Sequence, residues 1–163
     1  MHCETTKEQA WLKKVLGDWS FMSECDMGPD QPRGKFKGSE RVRALGDVWV
    51  IGEGEGEMPG GGTGRMLLTI GFDGTKKRFV GSWVGSMMTN LWTYDGELDA
   101  AGHMLTLNAE GPAMDPSAAP GTIAKYQDVH EFKSDSHRVL TSRTLTGEGK
   151  WVEFMKAEYR KKA

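Results

Sequence analysis

Past Gly17 the spacing of apolar residues changes from three-to-four to two, and the new period recurs in one short segment after another to the end of the chain. Trp19, Phe21, Ser23 and Cys25 alternate with Ser20, Met22 and Glu24. Met66, Leu68, Ile70 and Phe72 make one apolar face; Phe79, Gly81 and Trp83 make the next, and Leu105, Leu107 and Ala109 a later one. A two-residue period sends successive side chains to opposite faces, so each segment reads as a strand with one buried face. Turn residues such as Asp73-Gly74, Gly147-Glu148-Gly149 and the proline-bearing stretch from Gly111 to Gly121 separate the segments. The pattern predicts ten strands, at 18–28, 35–45, 48–57, 65–73, 77–85, 87–98, 103–110, 122–133, 137–145 and 150–160. One helix precedes them, over about 5–16. A capping box opens it at Thr5 or Thr6, Trp11, Leu12, Val15 and Leu16 share one face, and Gly17 marks its stop.

Many strands with short links and no second helix point to an all-β antiparallel meander. Closing it into a barrel removes its edges, and an eight-to-ten-stranded barrel has room for one small ligand. The 163 residues suit one domain over 1–163, with the barrel at about 18–160. Glycine is abundant, 22 residues in all. Gly52, Gly54, Gly56, Gly81 and Gly85 fall inside strands, where glycine marks bends, bulges or close approach.

Charge narrows the function classes. Lys plus Arg is 21 and Asp plus Glu is 23, a net charge of -2, which argues against an electrostatic nucleic-acid binder. The polar start from Met1 to Lys14 has no secretory h-region, and no window reaches the length of apolar run that spans a membrane. A cytoplasmic protein without a membrane partner is expected, with Cys3 and Cys25 as free thiols rather than a bridge. Whether it forms a homodimer is open.

A short helix followed by Gly17-Asp18-Trp19 at the first strand resembles the calycins, the lipocalins and fatty-acid-binding proteins. Four runs carry a closer resemblance: Met27 to Pro32, Gly52 to Gly61, Val84 to Thr89 and His137 to Ser142. They are similar to a bacterial domain-of-unknown-function family, number 1579, over roughly Lys7 to Lys161. The resemblance implies a calycin-like up-and-down barrel and no particular activity. It also implies that a basic residue of the last strand, Arg160 or Lys156, packs over Trp19.

Three constellations are candidates for chemistry. Glu53, Glu55 and Glu57 share a strand face, as a hard-cation or acid–base cluster or as a solvated outer face; clustered carboxylates repel and favour the second. Asn90, Trp92 and Tyr94 alternate, with Trp83 on the strand before, as aromatic walls and an orienting amide or as barrel filling. Tyr126, Asp128, His130 and Phe132 share a face, where Asp128 and His130 read as a proton-transfer pair, a haem or metal ligand, or a core histidine bonded to a carboxylate. No set of three histidines, Cys-x-x-Cys, P-loop or Gly-x-Ser-x-Gly elbow is present, so no metal or cofactor is expected.

The leading expectation is non-covalent binding of a small, mostly apolar molecule inside the barrel, by Trp83, Asn90, Trp92, Tyr94, Tyr126, Asp128 and His130. The alternatives are an enzyme using Asp128 and His130 for proton transfer, a nitrobindin-like haem binder using His130, and a filled barrel acting through its surface.

Overall fold

The computed structural model describes residues 6–163. One helix, α1 (Lys7–Lys14), precedes ten strands. These are β1 (Gly17–Cys25), β2 (Gly34–Leu45), β3 (Trp49–Glu57), β4 (Thr63–Asp73), β5 (Arg78–Gly85), β6 (Trp92–Leu98), β7 (Met104–Pro112), β8 (Ile123–Ser134), β9 (His137–Leu145) and β10 (Trp151–Lys161). Each strand pairs antiparallel with its sequence neighbour, and β10 pairs back onto β1 to close the barrel. Trp19 to Cys25 run opposite Lys161 to Met155 across that seam. The meander and its closure are as the alternation predicts.

The helix closes one end. Thr6 caps it reciprocally with Gln9: the Gln9 N–H donates to the Thr6 hydroxyl and the Thr6 N–H to the Gln9 side chain. The alternative capping frame at Thr5, like Cys3 and its thiol, lies outside the described residues. Eight residues are too few for a helix to stand alone; packing of Trp11, Leu12 and Val15, all at most 4% exposed, holds it in place. The Trp11 ring meets Phe79 and Phe132 edge-on at 5.9 and 5.8 Å. The Trp19 indole N–H donates to the Val15 carbonyl at 2.9 Å, tying the helix end to the first strand. Between them Gly17 turns the chain at φ 128°, a conformation L side chains rarely adopt.

A polar ladder across the outer face pins the pairing of β6 through β9. Arg143 donates to Gln127, Gln127 to Asn108, and Asn108 to the Asp95 carbonyl. On the inner face, strand glycines make room for aromatic rings. Gly38 and Gly56 are register partners, and a Cβ on either would press on the Phe21 ring. A Cβ on Gly111 would strike the Trp92 ring in the same way.

One strand boundary differs from expectation. The alternation from Met88 predicted a strand over 87–98, but β6 begins at Trp92. Trp83 and Trp92 are the last partners of β5 and β6, and Ser86 to Leu91 form a loop. The Met88 N–H returns to the Gly85 carbonyl, and the Trp92 indole donates to the Met88 sulfur at 3.0 Å, which folds the loop over the barrel end.

Candidate functional site

The barrel is hollow in the half away from the helix, so the filled-barrel reading does not hold. A cavity of about 340 Å³ reaches the open end, where Met58 and Pro59, Met88 and Met114 line it from three successive loops. The walls are apolar and aromatic: Phe21, Phe36, Trp83, Trp92, Tyr126 and Phe154. Trp92 and Tyr126 cross at right angles, ring centroids 5.0 Å apart. Their polar tips are already used, the Trp92 indole by Met88 and the Tyr126 hydroxyl by the Pro112 carbonyl. They offer the cavity apolar ring surface, not free hydrogen-bonding groups.

The inner end of the cavity is polar. Asp128 on β8 accepts a hydrogen bond on each oxygen, from the Tyr94 hydroxyl on β6 and the Ser142 hydroxyl on β9, both at 2.5 Å. Asp128 is half-buried and lines the cavity. Burial holds its carboxyl above the ordinary carboxylate range, opposed by the two hydroxyl donors. The same burial, with the Asp128 charge beside it, pushes the Tyr94 hydroxyl well above its usual value.

A step deeper, Arg138 on β9 and Glu40 on β2 form an ion pair at 2.6 Å, with side chains 2% and 7% exposed. The guanidinium lies between two rings, 4.6 Å from the Trp19 centroid and 4.0 Å from that of Tyr159. Arg138 is thus the main cation over Trp19, assisted by Lys161 at 5.2 Å. Arg160 and Lys156, the residues expected there, are exposed on the outer face. The parity of β10 explains this: Ala157 and Tyr159 point inward, so their neighbours point out.

His130 is 5% exposed beneath the helix, with the Trp11 ring edge-on at 6.0 Å. Its Nδ1 has no hydrogen-bond partner, and neither does the Arg138 Nε. Asp128 and His130, two apart on β8, do not hydrogen-bond each other; the partners of Asp128 are Tyr94 and Ser142. Burial and then the Arg138 charge lower the His130 pKa to about 3. An unfolded histidine takes up a proton near pH 6.5, whereas the folded one resists it down to about 3. Stability therefore falls as pH drops through that window. Asp128 acts in the opposite sense, since its raised carboxyl takes up a proton earlier in the folded state. Urea denaturation of wild type and His130→Gln near neutral pH and near pH 4.5 separates the two. The variant is expected to lose less stability on acidification, by on the order of 2 kcal/mol. Equal losses would contradict the buried neutral imidazole.

Of the seven expected site residues, Trp83, Trp92, Tyr94, Tyr126, Asp128 and His130 line this cavity. Asn90 does not; it sits in the loop before β6, its Nδ2 buried without a partner. Glu40, Arg138, Ser142 and Tyr159 complete the polar end and were not anticipated. Arg138, Leu140 and Ser142 share a two-residue period, which was the available signal. Glu53 and Glu55 are exposed on the outer face, Glu53 paired to Arg43 at 3.7 Å. Glu57 accepts from the Lys37 N–H at the barrel rim. Among the described residues no group of His, Cys, Asp or Glu is placed to hold a metal ion. Among the described residues no helix is long and apolar enough to cross a membrane.

The model of a family described as "Protein of unknown function (DUF1579)" matches residues 4–161. No curated protein matches the sequence. Among solved structures, Rv2717c from M. tuberculosis is similar at TM-score 0.61 and 10% identity, covering 96% of this chain and 98% of that one. The S-type phycobiliprotein lyase CPES from Guillardia theta is similar at TM-score 0.58 and 12% identity, covering 95% and 92%. EF1p2_mFAP2b bound to DFHBI is similar at TM-score 0.50 and 8% identity, covering 96% and 98%. At these identities the likeness is one of fold.

Proposed function

The chain belongs to the DUF1579 family, and from its hollow barrel we propose that it binds a small, mostly apolar molecule non-covalently. The observation that carries this is the cavity itself: about 340 Å³ walled by aromatic rings, with a small set of polar groups gathered at one end. That division is how small-molecule sites orient a ligand. Filling the space with protein would have been the more stable course, since cavities in a core cost free energy. Met58, Met88 and Met114 at the mouth, unbranched and polarizable, suit a rim that adapts to its occupant. A barrel of the same fold bound to DFHBI is compatible with the reading.

The enzyme reading is weaker, because its proposed pair is not hydrogen-bonded and His130 stays neutral down to about pH 3. A haem reading needs a wide flat slot against His130, and His130 lines the cavity only at its deep end, with the Trp11 ring packed on it. The test is a titration with prodan, a neutral dye whose emission shifts to the blue in apolar surroundings, against protein unfolded and refolded to strip any carried ligand. Saturable one-to-one binding with a blue shift is expected, with quenching of the wall tryptophans. No blue shift would count against the reading.

A further inference from the structure

Resting on that binding reading, we infer that the occupant is a cation: an apolar molecule with a protonated amine, seated with its nitrogen against Asp128 and the adjoining rings. Asp128 is a half-buried carboxylate lining the cavity, in no ion pair among the described residues, its only partners being two hydroxyls. Among the described residues the one buried guanidinium, that of Arg138, is already paired with Glu40. Arg138 and Glu40 cancel, so the polar end carries one uncompensated negative charge, that of Asp128. An ionised carboxylate accepts only, and with one bond to each oxygen it keeps lone pairs free for further donors. The cavity wall also includes Trp83 and Trp92, aromatic rings of the kind that attract a cation.

An anionic ligand meets the opposite field. Its carboxylate would come up against Asp128, and Arg138, the cation lining the cavity, already has its charge cancelled by Glu40. A neutral alcohol would fit but would leave the Asp128 charge uncompensated. His130, with an unpartnered Nδ1 and no charge, neither repels the amine nor competes with it.

Three probes of one shape decide between these charges: phenylbutylamine, phenylbutanol and phenylbutyrate, titrated at neutral pH by calorimetry. The amine is expected to bind tightest, by roughly tenfold or more over the alcohol, and the carboxylate weakest. In Asp128→Asn the amine is expected to fall to the alcohol's affinity, with the alcohol little changed. An amine no tighter than the alcohol, a carboxylate that binds best, or an amine preference that survives Asp128→Asn overturns the inference while leaving the binding function standing. If none of the three binds, the binding function fails and the inference with it.

Should Asp128→Asn not fold, the wild type supplies the test through pH. Lowering the pH below neutral is expected to weaken the amine, because burial makes the Asp128 carboxyl take up a proton sooner than an ordinary carboxylate, and to leave the alcohol unchanged. The other groups facing Asp128 do not confound this. Tyr94 from β6 and Tyr159 from β10 are both pushed up and stay neutral, His130 titrates near 3, and Glu40 from β2 is paired with Arg138 from β9. An amine affinity that does not change with pH overturns the inference.

Discussion

Replacing Arg138 with methionine is expected to destabilise the barrel by about 3–5 kcal/mol. The substitution keeps an unbranched chain of similar length but leaves the Glu40 carboxylate 7% exposed with its partner gone. An unpaired charge in that position has lost its hydration and gained nothing in return. The guanidinium also fills the space between Trp19 and Tyr159, so its cation–π contacts go with it. In a chain of this length the loss should appear as a fall in Tm on the order of 10 °C. The double variant Glu40→Leu with Arg138→Met removes both charges and is expected to recover most of the loss. Scanning calorimetry of the two variants and wild type checks both statements. A single-variant cost under about 1 kcal/mol would mean that the pair is not held in a dry environment.

Trp11→Ala is the second large effect, expected to cost about 3–5 kcal/mol as a large buried ring truncated in a packed site. Trp11 is 1% exposed, and its ring bridges Phe79, His130 and Phe132. The consequence should be local. An eight-residue helix has no stability of its own, so without its main anchor it is expected to detach before the barrel opens. Hydrogen exchange reads this directly: amides from Ala10 to Lys14 lose protection, while the paired strands β7 and β8 keep theirs. Uniform loss across the strands would show the helix to be part of one cooperative unit with the barrel.

The barrel was legible because a strand announces itself locally. Nine of the ten strands could be placed to within a few residues from alternation and turn chemistry, since both act over short stretches of chain. The exception shows the limit. Met88 and Asn90 continue the alternation of Trp92 and Tyr94 by coincidence of spacing, and only the end of pairing at Trp83 and Trp92 makes them loop. The aromatic walls were legible for the same reason as the strands. The polar end was not, because it is assembled by closure. Glu40 and Arg138 are 98 positions apart and meet only across the barrel interior. Asp128 finds Tyr94 and Ser142 at separations of 34 and 14 residues, whereas its expected partner, His130, is the near neighbour in sequence. Which basic residue covers Trp19 likewise depends on the inward parity of β9 and β10, which the irregular register at Glu153 and Met155 obscures in the sequence.

The most direct test of the hollow barrel as a binding site is the prodan titration repeated on Ala109→Phe. Ala109 is 8% exposed, lines the cavity and stands opposite Tyr126 in the β7–β8 register, so a ring there would occupy the ligand's space. This variant is expected to keep the wild-type far-ultraviolet circular dichroism and to lose the blue-shifted, one-to-one dye binding. Binding that persists unchanged in the folded variant would contradict that expectation, placing the dye on the outside of the barrel.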